Sequence, residues 1–129
     1  MYLLLIWSNP QNWAALPPNE RAVLERDSIA EHAALDTALL ASGELVTSAA
    51  LADPEHTRTV RIRAGVRGAF DGPFAEVKEH LAGFYLVDCD NLERATDIAA
   101  LIPDARWERV EVRPVQDVAG LGTLREGHR

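Results

Sequence analysis

The sequence predicts an α+β fold of ferredoxin-like βαββαβ order, with a β-hairpin inserted before the third strand of that pattern. Short stretches rich in apolar and β-branched residues mark strands, and two longer stretches with helical periodicity separate them. The chain of 129 residues has the length of one domain, and its hydrophobic content of 47% is ordinary for a globular protein. We expect residues 1–115 to form the domain and residues 116–129 a C-terminal tail.

The first part of the chain predicts a strand followed by a long helix. Tyr2–Trp7 is short and apolar, as in a buried strand, and Gln11–Leu16 predicts a short helical turn. Pro17–Glu20 favours a helix start, because proline fixes φ and an acidic side chain is favourable in the first turn. The helix is expected to run from about residue 20 to residue 42 and to end at Gly43.

The middle of the chain predicts strands and one hairpin. Glu44–Leu51 returns as a strand, and Thr57–Arg63 alternates apolar and charged residues as a half-buried strand does. Ala64-Gly65 favours a tight turn into Val66–Phe70. The remaining elements are a helical turn at Glu76–His80, a strand at Leu81–Cys89, a helix at Leu92–Leu101 capped by Asp90 or Asn91, and a strand at Trp107–Val115.

A sheet of this order carries both helices on one face, so its other face must be covered. A second copy of the same sheet is the expected cover, and a C2 homodimer is the commonest closed solution. The net charge of −7 argues against nucleic acid as a partner. The chain has one cysteine, no apolar run of about 20 residues and no recognisable signal peptide, so we expect a cytoplasmic protein without a membrane span.

His32 is the most informative residue of the first helix. At helical spacing it falls within the apolar stripe that contains Leu35 and Leu39, and Asp36 lies one turn further along. A polar ring there needs a partner, so the pattern indicates either a general acid or base in a cleft or a core histidine satisfied by Asp36 or a backbone carbonyl. Ser28, one turn earlier, is disfavoured as a nucleophile, since a single helical row leaves no place for a carbonyl between nucleophile and base.

A second group of candidates follows the hairpin. Asp71 precedes the Gly72-Pro73 turn, where it could cap backbone N–H groups or present a carboxylate at a cleft rim. The candidate substrate-binding residues are Pro73, Phe74, Lys78 and Phe84. No Cys/His cluster with metal-ligand spacing is present in the sequence, so no metal is predicted, and a reaction that needs only proton transfer implies no cofactor.

The stretch from Asp71 to Leu86 reads DGPFAEVKEHLAGFYL and resembles the motif DGPFAExKExLGGFY of the DGPF-motif branch of the YCII-related family. Ala82 stands where that motif commonly has glycine. The stretches Tyr2–Trp7, Trp13–Pro18 and Val110–Val115 also look like that branch, so the resemblance covers about residues 1–115.

The resemblance implies a ferredoxin-like fold that forms a dimeric α+β barrel. Better-studied relatives use a His–Asp pair in a cleft, and one is a dehydrochlorinase acting on a chlorinated hydroxyquinol. His32 and Gly43 match the family histidine and the glycine eleven residues later. The aspartate of the wider family belongs to an Asp-Pro pair after the second helix, but Ile102 precedes Pro103 here. Either Asp71 or Asp36 supplies the carboxylate, or the pair is absent.

Two functions from different classes are therefore expected. The first is a small-molecule enzyme, of lyase or isomerase type, in which His32 transfers a proton and Asp71 or Asp36 orients it; the resemblance implies a small cyclic or phenolic substrate. The second is a non-catalytic ligand-binding or regulatory module, since some members of the branch are encoded beside extracytoplasmic-function sigma factors.

Overall fold

The structure is a computed structural model that describes residues 1–73 and 78–116. The chain is a mixed α+β fold in which antiparallel strands alternate with helices. In chain order the described elements are β1 (Tyr2–Ser8), α1 (Pro10–Ala14), α2 (Pro18–Ser42), β2 (Leu45–Ala50), a 3₁₀ turn (Pro54–His56), β3 (Arg58–Arg63), β4 (Val66–Asp71), β5 (His80–Val87), α3 (Leu92–Leu101), a second 3₁₀ turn (Pro103–Arg106) and β6 (Arg109–Pro114).

Four of the strands form one antiparallel sheet in the order β2-β5-β1-β6, and β3 pairs with β4 in a separate hairpin. Leu4 marks the centre of the larger sheet, because it lies opposite Tyr85 of β5 and Val112 of β6. Both described sheets are open, so the described residues of one chain form no barrel. None of the helices in the described ranges is long and apolar enough to cross a membrane.

Helix α2 confirms the predicted long helix within two residues at its start. Pro17 lies just outside the helix and Pro18 is its first residue, as expected where a backbone N–H has no partner. Gly43 ends the helix with a φ of 78°, a left-handed conformation that a residue without Cβ adopts at little cost. The backbone N–H of Gly43 donates to Leu39 and Leu40 carbonyls, which would otherwise lack partners.

The inserted hairpin also agrees with its prediction. Ala64 and Gly65 both have positive φ, at 50° and 77°, between the paired residues Arg63 and Val66. A two-residue turn with positive φ at both positions matches the right-handed twist of the flanking strands. Helix α3 spans Leu92–Leu101 as predicted, and the Asn91 side chain accepts a hydrogen bond from the backbone N–H of Arg94.

Three predictions need correction or lie outside the described residues. The helical turn at Glu76–His80 is wrong at its end, because His80 opposite Ser8 already belongs to β5. The last strand begins later than predicted, at Arg109, because the backbone N–H groups of Trp107 and Glu108 donate to the Asp104 carbonyl of the preceding turn. Residues 117–129 of the predicted tail, and residues 74–77, lie outside the described residues.

The hydrophobic core lies between the helices and one face of the four-stranded sheet. Leu39 of α2 is 1% exposed and belongs to a cluster with Leu4, Val87 and Ile98, whereas the neighbouring Leu40 is 65% exposed. Leu39→Ala should therefore lower the free energy of unfolding by about 2–5 kcal/mol, because it leaves a cavity in packed surroundings. Leu40→Ala is the matched control and should change it by less than about 0.5 kcal/mol in the same urea titration. Equal effects of the two variants would contradict this assignment of the core.

Candidate functional site

His32 lies near the middle of α2, and its side chain contacts Tyr85 of β5. Asp36 follows it by one helical turn, so both side chains project from the same side of the helix. Tyr85 comes from β5, the strand that pairs with β1 and β2. The long helix and the central strand therefore bring together polar side chains that are far apart in the sequence.

The imidazole of His32 is hydrogen-bonded at both ring nitrogens. Nδ1 lies 2.9 Å from the Tyr85 hydroxyl, and Nε2 lies 2.9 Å from Oδ1 of Asp104. The Tyr85 hydroxyl in turn donates to Oδ1 of Asp36 at 2.9 Å. The four groups form one continuous chain, from Asp36 through Tyr85 and His32 to Asp104, which we call the polar chain.

Asp104 reaches His32 because of the 3₁₀ turn that follows α3. Pro103 is buried and begins the turn, and Asp104 occupies its first part. The Asp104 carbonyl accepts hydrogen bonds from the backbone N–H groups of Trp107 and Glu108, which fixes the backbone around it. The carboxylate is thereby held in place against α2.

A surface ion pair joins the same two elements beside His32. Nη2 of Arg106, in the 3₁₀ turn, lies 2.8 Å from Oε2 of Glu31, the residue before His32 on α2. Both side chains are largely exposed, so the pair adds little to stability. The pair places a positive and a negative side chain next to His32, on the same two elements that carry His32 and Asp104.

Tyr85 is the buried member of the polar chain. Burial raises the pKa of its phenol well above the ordinary value, and the hydrogen bond to Asp36 and the negative charge of that carboxylate raise it further. The hydroxyl therefore keeps its hydrogen at any physiological pH. Its ring lies nearly parallel to the imidazole of His32, with an interplanar angle of 12°.

The polar chain lines a cavity of about 360 Å³ between α2 and the sheet. The His32 and Asp104 side chains are 32% and 25% exposed, so a small molecule in the cavity can reach them. The rest of the wall is mostly small or apolar, and the other lining residues are Ile6, Ser48, Ala49, Ala50, Ala82, Gly83 and Phe84. No lysine or arginine lines the cavity among the residues that the structure describes.

Gly83 has a steric reason to lack a side chain. A Cβ at this position would lie 2.7 Å from the backbone oxygen of Ala49 on the neighbouring strand β2. Real Cβ atoms do not approach backbone oxygens so closely, so glycine allows β2 and β5 to come together at the cavity wall.

The structure brings some of the predicted site residues together and leaves others apart. His32 and Asp36 share the polar chain, although Tyr85 bridges them and no direct hydrogen bond between them is found. Phe84 is among the lining residues of the cavity, and its role in substrate binding stays a prediction. The Ser28 hydroxyl donates to the Glu25 carbonyl of its own helix and takes no part in the polar chain.

The predicted site residues around the DGPF stretch lie elsewhere in the described fold. Asp71 is on β4, its side chain is 85% exposed, and it pairs with Arg58 at 3.3 Å. Pro73 lines a different cavity, next to Trp7. Lys78 is exposed, and Phe74 lies outside the described residues. None of these three described residues, Asp71, Pro73 or Lys78, lines the cavity that contains His32.

Sequence reasoning missed Asp104 and Tyr85. Asp104 follows Pro103, whereas the resembled pattern has an aspartate before a proline. The carboxylate is therefore shifted by two positions from the place where Ile102 stands. The signal that could have found it is an acidic residue within the first turn after α3. For Tyr85 the sequence predicts only a position in a strand, since strand alternation does not indicate which side chains lie opposite it.

Comparison with known proteins gives two matches. The YCII-related domain matches residues 2–119. An uncharacterized protein of Rhizobium meliloti (strain 1021) is 33% identical over 117 residues, which cover 89% of this chain and 91% of the relative.

Proposed function

Because the chain belongs to the YCII-related family, we propose that it is a small-molecule enzyme in which His32 transfers a proton to or from a substrate bound in the cavity beside it. The observation that carries the proposal is the position of the imidazole. It is half-buried in a cavity wall, and partners at both ring nitrogens fix its orientation. A positioned imidazole within reach of a bound molecule is the usual requirement for general acid–base catalysis.

The partner of His32 in this proposal is Asp104. A carboxylate on Nε2 fixes the tautomer and ring orientation and stabilises the charged imidazole, as in other His–Asp pairs. Asp36 is linked to His32 through Tyr85, whose hydroxyl donates a hydrogen bond to Asp36 and contacts the imidazole. This assignment replaces the sequence-based choice between Asp71 and Asp36, and it restores the His–Asp pair that the family resemblance implies.

The cavity favours a small substrate. Its volume of about 360 Å³ is at the low end of ligand-binding sites, which span roughly 300–1,000 Å³. Apolar residues such as Ile6 and Ala50 line the cavity, while the polar chain supplies the reacting groups. We propose a single-ring, phenolic compound and a lyase or isomerase step that needs only proton transfer and no cofactor.

We also propose a family branch, an oligomeric state and a cellular location for the chain. The strand order and the DGPFAEVKE stretch support a ferredoxin-like member of the DGPF-motif branch. On β1, Leu4 and Ile6 face the helices, so Leu3 and Leu5 project to the other side of the sheet. We propose that a second copy covers that side in a cytoplasmic homodimer, in which two open sheets complete a barrel.

A turnover assay tests the proposed function. The wild-type protein is incubated with catechol, hydroxyquinol and 5-chlorohydroxyquinol under argon without added cofactor, and each compound is followed by chromatography. We expect catalytic consumption of at least one compound. Binding without consumption would replace catalysis with the non-catalytic, regulatory alternative, for which a sigma factor is the candidate partner. Neither binding nor consumption of any of the three would overturn the proposal of a phenol-binding site.

A further inference from the structure

The polar chain fixes how many hydrogens the site holds. Three contacts of 2.9 Å join Asp36 to Tyr85, Tyr85 to His32, and His32 to Asp104. At that separation each contact is a hydrogen bond and needs one hydrogen between its two heavy atoms. The chain therefore needs three hydrogens in all.

The ordinary charge states of these side chains supply two. The phenol of Tyr85 brings one hydrogen, a neutral imidazole brings one, and two carboxylates bring none. With only two hydrogens, one of the three contacts would hold two acceptors face to face in a half-buried position, which is costly. All three bonds form only when the chain carries a third hydrogen and a net charge of −1.

The third hydrogen belongs on the imidazole. Imidazole is a stronger base than a carboxylate by roughly two pKa units in model compounds. An imidazolium donates from both nitrogens, to the Tyr85 oxygen and to Asp104, which leaves the Tyr85 hydroxyl free to donate to Asp36. The nearby Glu31 is already paired with Arg106, so the two carboxylates of the polar chain are the charges that face the ring from α2 and from the 3₁₀ turn.

We propose that Tyr85 and Asp36 are positioning residues that hold His32 as an imidazolium in the resting site, so that the enzyme acts first as a proton donor. The substrates it fits are then proton acceptors, such as a ring carbonyl oxygen or the electron-rich carbon of an enol or phenol. This inference rests on the proposed function and specifies the direction of its first proton transfer.

The proton delivered is the one on Nδ1. The bond from Nε2 to Asp104 joins two opposite charges and is the stronger, whereas the Tyr85 oxygen is a neutral acceptor that a substrate atom can replace. In the transfer the Nδ1–H bond breaks, its electron pair stays on the ring, and a new bond forms between the proton and the substrate. The substrate gains one positive charge, the polar chain goes from −1 to −2, and a proton from solvent restores the resting state.

Nitrogen NMR of the histidine ring tests this inference without any substrate. A long-range ¹H–¹⁵N spectrum at pH 7.5 should show both ring nitrogens of His32 with the signals of an imidazolium. The exposed His56 provides the internal reference for the ring-nitrogen signals. A wild-type His32 with one protonated and one bare nitrogen would overturn the proposal, whether or not the protein turns over a phenol.

Variants separate the positioning role from a structural one. In Tyr85→Phe the acceptor for Nδ1 is lost, so the His32 signals should revert to those of a neutral ring at pH 7.5. Asp36→Asn keeps the shape but removes a negative charge, so the second ring proton should be lost at lower pH than in the wild type. Asp27→Asn, on the same helix beside Arg26, is the matched control and should leave the spectrum unchanged. Persistence of the imidazolium signals at wild-type pH in both Tyr85→Phe and Asp36→Asn would overturn the role of those residues.

Discussion

His32→Ala is expected to lower kcat/KM for the phenolic compound that the wild type consumes by about 10²–10⁴-fold, the usual contribution of a positioned acid or base. Alanine has no group that can carry the proton, and it cannot form the hydrogen bonds to Tyr85 and Asp104. The His32 side chain is 32% exposed and is not part of the buried hydrophobic cluster. The variant should therefore remain folded, as judged by circular dichroism and urea denaturation.

Two further variants make this prediction specific. Asp104→Asn keeps the shape of the side chain but removes the negative charge that lies beside Nε2 of His32. The variant should retain measurable but strongly reduced turnover. Asp71→Asn is the matched control, because Asp71 pairs with Arg58 on the exposed hairpin and should leave kcat/KM unchanged. Loss of turnover in Asp71→Asn with retention in Asp104→Asn would reverse the assignment of the carboxylate.

Gly83→Ala is expected to lower the free energy of unfolding through a steric clash between strands β5 and β2. The new methyl group would lie 2.7 Å from the carbonyl oxygen of Ala49, a backbone atom that can move only if strand β2 moves. Forcing extra volume into such a contact costs roughly 1–3 kcal/mol of unfolding free energy. Because Gly83 and Ala49 both line the cavity, the same displacement should weaken binding of the phenolic compound.

Gly68→Ala provides the control for this steric argument. Gly68 also lies in a strand, but a Cβ there would be 3.7 Å from the Arg61 carbonyl oxygen, an ordinary contact distance. Urea denaturation of the two variants should show a clear loss for Gly83→Ala and little change for Gly68→Ala. A stability of Gly83→Ala equal to that of the wild type would show that β2 is not held as closely to β5 as described.

Much of the fold could be predicted because its determinants are local. The limits of α2 follow from two prolines at one end and a left-handed glycine at the other, and each acts through its own backbone angles. The hairpin turn at Ala64 and Gly65 is local in the same sense. The helical turn predicted near His80 was wrong because pairing with β1, a contact distant in sequence, extends β5.

The candidate site could be predicted only in part. His32 and Asp36 were found because four-residue spacing on one helix places them together. Tyr85 and Asp104 are 53 and 72 positions away from His32, and only the packing of β5 and the 3₁₀ turn against α2 brings them to the ring. The approach of β2 to β5 at Gly83 depends equally on tertiary packing, so periodicity could not indicate it.

Titration of the ¹⁵N-labelled protein with catechol is the most direct test of the claim that the cavity beside His32 is the functional centre. The account predicts shifts of the amide signals of Ala49, Gly83 and Phe84, all of which line the cavity, together with the ring signals of His32. Signals of the exposed hairpin, such as that of Gly68, should not move. Shifts confined to the hairpin or to the separate cavity beside Trp7, or no shifts with catechol, hydroxyquinol or 5-chlorohydroxyquinol, would contradict it.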